Sequence, residues 1–98
     1  MLPISKTPQA ESDLEEIWRY IAHDNPQAAN RLIREIDDVF QRLRILPHSG
    51  SPRYDFGMNV RIVPVQRYNV VYRAGMDSIE IIRVLHSARD ITALFYKP

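Results

Sequence analysis

Along the first half of the chain, apolar residues recur with the period of a helix. Ala10, Leu14, Ile17, Trp18 and Ile21 fall on one face, while Glu11, Asp13, Glu15, Glu16 and Arg19 occupy the others. Thr7-Pro8 supplies the start, since threonine caps a helix and proline fits its first turn. Asn25-Pro26 repeats that signal and opens a second helix predicted to run to about Leu46. Its stripe is Ala29, Leu32, Ile33, Ile36, Val39, Phe40 and Leu43, and Leu46-Pro47 ends it. So short a connection predicts an antiparallel helical hairpin.

The second half changes period. Residues 47–58 are rich in proline, glycine and serine and hold neither regular spacing, which predicts a loop. Three strands follow as a meander: Val60 to Val65, then a Gln66-Arg67 turn; Tyr68 to Arg73, then a turn over Ala74 to Asp77; and Ile79 to His86. Pro64 belongs at a strand end or where its nitrogen faces outward, because it cannot donate to a ladder. Leu2 to Lys6 reads as a short edge strand. The predicted fold class is α+β: one domain spanning residues 1–98, with an N-terminal helical hairpin packed on a small, mainly antiparallel β-sheet. The face away from the helices is expected to be wet or covered by a partner, and to carry some of the strand arginines.

Composition narrows the chemistry. The chain has no cysteine, which removes disulfides, thiolate zinc sites and cysteine nucleophiles. It shows no secretory leader and no apolar run near the roughly 20 residues that span a bilayer, so a cytoplasmic location is expected. No metal site or cofactor is expected either, since His23 and His48 lack ligand spacing and the glycines form no phosphate loop. The net charge of +1 hides an asymmetry. Residues 1–41 carry four cations against eight acids, and residues 42–98 nine cations against four acids. Nearly all the positive charge is arginine, whose planar fork suits carboxylate or phosphate; the plainer alternative is solvation of a sheet and neutralisation of local acids.

Candidate site residues follow from that asymmetry. Arg53, Arg61, Arg73 and Arg83 lie on or beside separate strands, and converging guanidinium groups hold phosphates or stabilise charge at a cleaved phosphodiester. Register decides which face each takes. His86, at a strand end, is either a general acid or base or a structural residue held by the adjoining turn. Arg89-Asp90 is either an ion pair or the start of a helix over 91–95, with Asp90 as cap. Arg53 and Tyr54 are candidate contact residues; otherwise their loop is a plain connector. The tail Leu94 to Pro98 is apolar for a terminus and packs on the core or meets a partner.

The order and spacing of several short motifs resemble one family. They are Ala10-x-x-x-Leu14-x-x-Ile17-x-x-Tyr20, Asn25-Pro26-x-Ala28-Ala29, Leu46-Pro47-x-x-Gly50 with Arg53, Val60-Arg61, Tyr68-x-Val70-x-Tyr72-Arg73, and Arg83-Val84-Leu85-His86-x-x-Arg89-Asp90. Together they resemble the ParE-like branch of the RelE/ParE toxin superfamily of bacterial type II toxin–antitoxin modules. The resemblance implies a toxin neutralised by a cognate antitoxin in a hetero-oligomer, acting on DNA gyrase without enzymatic activity of its own. RelE-like relatives instead cut mRNA on the ribosome with lysines, arginines and a C-terminal tyrosine or histidine. In this chain lysine occurs only at Lys6 and Lys97, which leaves Arg61, Arg83 and His86 as the ribonuclease candidates, with Tyr96 as a terminal aromatic. For partner binding the candidates are Arg53, Tyr54, Arg61, Arg73, Arg83 and Arg89. A third reading is a toxin fold that survives as a non-toxic antitoxin-binding module.

Overall fold

The computed structural model describes residues 1–89 and 91. Its elements, in chain order, are β1 (Ile4–Lys6), α1 (Pro8–Ala22), α2 (Pro26–Ile45), β2 (Ser51–Pro52), a 3-10 turn at Tyr54–Phe56, β3 (Val60–Val65), β4 (Tyr68–Ala74) and β5 (Ile79–His86). Both helices begin where the sequence signals them. Thr7 Oγ1 accepts from the Ala10 amide at 3.0 Å, and Asn25 Oδ1 accepts from the Ala28 amide at 3.0 Å. The strands form one mixed sheet in the order β1-β5-β4-β3-β2, in which only β1–β5 is parallel. The loop expected over 47–58 is more ordered than its composition suggests, since β2 pairs with β3 and Arg53 N donates to Val60 O. Gly57, at φ 137°, makes the sharp return to β3 that a side chain would strain.

The helical hairpin covers one face of the sheet. All seven apolar-stripe positions of α2 are buried or half-buried, and six of them, Leu32, Ile33, Ile36, Val39, Phe40 and Leu43, meet Val65, Val70, Tyr72, Ile79, Ile81 and Val84 in one cluster. Trp18, expected on the buried face of α1, is 41% exposed and turns its indole N–H to Asn30 Oδ1 at 2.8 Å. Asp13, expected on a polar face, is buried instead, because it lies three residues after Ala10 and four before Ile17. On the opposite face, Phe56, Val60, Ile62, Val71, Leu85 and Ile91 form a second apolar cluster, with Ile82 packed against it. That face was expected to be wet or covered by a partner and to carry some of the strand arginines; local chain covers it in part, and Arg73, paired with Val60, lies on it.

A register shift between Val71 and Tyr72 explains the faces of β5. Val71 pairs with Arg83 but Tyr72 pairs with Ile81, so Ile82 is an extra residue. The insertion puts Ile81 and Val84, which simple alternation would separate, into the same helix-side core. Pro64 sits opposite Asn69, one pair from the two-residue Gln66-Arg67 turn. In that non-hydrogen-bonded position its nitrogen faces away from β4, and β2 reaches only Arg61 and Ile62 on that side. The outer edge of β3 therefore offers no donor at Pro64.

Candidate functional site

The candidate arginines do not converge. Arg61 points to the helix side, where Nη1 donates to His48 O at 3.0 Å and Gly50 O at 2.7 Å, tying the loop after α2 to β3. Arg73, on the opposite face, pairs with Glu80 at 3.2 Å. Arg53 lies in the loop, forked onto Asp55 at 3.1 and 2.9 Å and stacked 4.0 Å above the Phe56 ring. Those contacts raise the Arg53 pKa and lower that of Asp55, in each case chiefly through their shared hydrogen bonds. Tyr54 is exposed beside them.

Arg83 reaches over the strand edge to α1. Its Nε and Nη2 donate to the two oxygens of Asp13 at 2.8 and 3.0 Å, and Asp13 Oδ2 also accepts from the Val84 amide at 3.0 Å. The carboxylate thus takes the place of a neighbouring strand at the edge of β5. These bonds hold the Arg83 pKa above its ordinary value, with the Asp13 and Glu16 charges adding to the effect. Just before this point, Thr7 Oγ1 donates to Ile82 O at 2.7 Å and Thr7 N to Ile81 O at 3.0 Å. Asp13 was not among the sequence candidates, although its spacing from Ala10 and Ile17, which sets an acid at the border of the apolar stripe, is the signal that marks it.

His86 is held at the end of β5. Its Nδ1 accepts from the Ala88 amide at 3.1 Å, which leaves the proton on Nε2, and its ring meets Tyr68 edge-on with centroids 5.3 Å apart. His86 pairs with Tyr68 on β4 whereas Arg61 pairs with Tyr72, four residues along, a separation of about 13 Å. Arg61, Arg83 and His86 are therefore not assembled into one site. Asp90, positions 92–95 of the helix expected after it, Tyr96 and the apolar tail lie outside the described residues.

An open groove of about 970 Å³ lies between α1 and the end of β5. Ile17, Ile21, Leu32 and Val84 make its apolar floor, Glu16 and Tyr20 its helical rim, and Gln66, Arg67, Tyr68, His86 and Arg89 its far wall. Tyr20 is 79% exposed there. Burial raises the pKa of the Tyr68 phenol, keeping it neutral. Of the sequence candidates, the groove brings together only His86 and Arg89; Tyr20 entered only as part of a family motif, and Gln66 and Arg67 only as a turn, because no periodicity marks residues that meet across a fold.

Comparison with known proteins places this architecture. The family model described as the ParE toxin of the type II toxin–antitoxin system parDE matches residues 4–91. The chain belongs to the ParE toxin family. It is similar to Toxin ParE3 of Caulobacter vibrioides, 26% identical over 91 residues that cover 92% of this chain and 91% of that protein. It is also similar to Toxin ParE1 of the same organism, 29% identical over 94 residues that cover 95% and 97%. A solved structure, the chromosomal ParDE toxin–antitoxin system from P. aeruginosa, shares the fold with a TM-score of 0.71 at 21% identity, covering 88% of this chain and 96% of that one. Two helices on a mixed five-stranded sheet are thus the ParE arrangement. In this ParE-family chain, no described helix is long and apolar enough to cross a membrane. No group of three or more potential metal ligands occurs among the described residues.

Proposed function

We propose that this protein is a cytoplasmic toxin that inhibits DNA gyrase and is neutralised by a cognate antitoxin lying in the groove between α1 and β5. The observation that carries the antitoxin half is the groove itself, an apolar floor rimmed by exposed Tyr20 and open to solvent. Such a surface suits the apolar face of a partner segment. The similar structure, a ParDE toxin–antitoxin system, supports an antitoxin as the partner.

The gyrase half rests on family membership and on the site chemistry. Arg61 and Arg83 are engaged in holding the fold, and His86 stands far from Arg61, so these side chains offer no ready phosphodiester-cleaving constellation. Expression without antitoxin is expected to arrest growth, and the purified protein to inhibit gyrase supercoiling. Normal supercoiling together with ribosome-dependent mRNA cleavage would overturn the gyrase reading. Failure to arrest growth with antitoxin binding retained would point to a non-toxic binding module.

A further inference from the structure

The two sides of the groove carry opposite charges that the chain leaves unmatched. On the α1 rim, Asp13 is taken up by Arg83 and the Val84 amide. Glu16 lines the groove beside it, is exposed, and belongs to no ion pair among the described residues. Across the groove, Ser87 N donates to Arg67 O at 2.7 Å, which docks the turn after β5 against the β3–β4 turn. Arg67 and Arg89 therefore sit on adjoining turns. Both line the groove, both are exposed, and neither has an ion-pair partner among the described residues.

Such a groove is complementary to itself. A two-fold axis running along it lays the acidic rim of one copy against the basic wall of the other, and symmetry supplies the reverse contact. Tyr20, 79% exposed on the acidic rim, is then brought to the mouth of the facing groove, whose floor is apolar. Pairing of copies through the sheet is closed by comparison. The outer edge of β5 is met by β1 as far as Ile81, by Thr7 at Ile82 O and by Asp13 at Val84 N, which leaves only its last two residues. At the other edge, β2 covers Arg61 and Ile62, and Pro64 has no amide to donate.

We infer that the antitoxin-free chain associates with a second copy of itself through this groove, each Glu16 meeting Arg67 and Arg89 of the other copy. The carboxylate–guanidinium contact is made twice, at the wet rim of an apolar surface, so salt weakens it. Self-association covers the surface proposed above for the antitoxin. A second copy and the antitoxin therefore compete, and the toxin hides its own groove when it is alone.

Sedimentation equilibrium of the full chain freed of antitoxin, over micromolar to sub-millimolar concentrations, is expected to show a mass rising toward twice that of the chain. Glu16→Arg alone and R67E/R89E alone should each weaken the association by about tenfold or more, with unchanged circular dichroism spectra. Mixed in equal amounts, the two variants should associate again, because opposite charges then face each other at both contacts. A folding defect in either variant cannot produce that recovery. A parent chain that stays monomeric over the whole range overturns the inference and leaves the groove to the antitoxin alone. A dimer that both variants leave intact overturns it too, as does a mixture that fails to associate. Added antitoxin should replace the toxin pair by a toxin–antitoxin complex. If antitoxin instead binds a toxin pair that persists and remains sensitive to both variants, the self-association stands and the antitoxin lies outside the groove.

Discussion

Asp13 occupies a position on α1 where the stripe of Ala10 and Ile17 asks for a hydrophobe, and its carboxylate is spent on three donors from β5. Removing it leaves a mostly buried guanidinium and a buried amide without acceptors. Asp13→Ala is expected to lose about 2–4 kcal/mol in urea denaturation, toward the lower end because Arg83 retains some solvent contact. Adding Arg83→Met should recover part of that loss, and simple additivity of the two changes would refute the pairing. Tyr72 is the other residue of this kind. Its buried hydroxyl donates to Pro47 O at 2.8 Å and accepts from Gly50 N at 2.9 Å, and a Cβ on Gly50 would lie 2.6 Å from that oxygen. Tyr72→Phe should cost about 1–2 kcal/mol. Burial raises the Tyr72 pKa above the ordinary 10.0. The folded chain therefore holds the phenol neutral where the unfolded chain ionises it. The resulting stability is full below pH about 10 and is lost as pH rises through the folded value. Thermal melts from pH 9 upward should accordingly fall less steeply for Tyr72→Phe than for the parent, with Tyr68 supplying part of the slope that persists.

At the scale of elements, the chain announces nearly everything local. The two Pro-initiated helices, the α2 stripe, the three-strand meander and the outward Pro64 were legible because caps, periods and turn residues act within a few positions. Two things were not. The extra residue at Ile82 has no local sequence signature, yet it decides that Ile81 and Val84 share a face. The tripling of roles at Thr7 was also hidden. Its caps and turns are local, but its bonds to Ile81 O and Ile82 O span the chain. Thr7→Val keeps the shape and loses the hydroxyl. It should destabilise by about 1–2 kcal/mol in denaturant titration, whereas Thr7→Ser should stay within about 0.5 kcal/mol of the parent. Equal losses for the two would mean that the methyl, rather than the cap and edge bond, carries the effect.

Across the whole molecule, five of the eight described arginines of the basic second half are engaged within the fold, and one ion pair crosses to the acidic first half. Arg83 answers Asp13 across that divide, Arg53 and Arg73 answer acids of their own half, and Arg44 and Arg61 serve backbone carbonyls. The sequence made the surplus of arginine plain but not its spending, because pairing depends on the face each strand residue takes. What is left over at the groove is Arg67 and Arg89, and that residue of charge lies where the two halves of the chain meet. If the antitoxin occupies that groove, amide hydrogen exchange of the complex should slow at the C-terminal half of α1, the Gln66–Tyr68 turn and the end of β5. The second apolar cluster, on the far face around Phe56 and Ile62, should exchange as in the free toxin. Protection spread equally over both faces would indicate a partner that wraps the sheet. Protection confined to the far face would move the antitoxin site away from the groove.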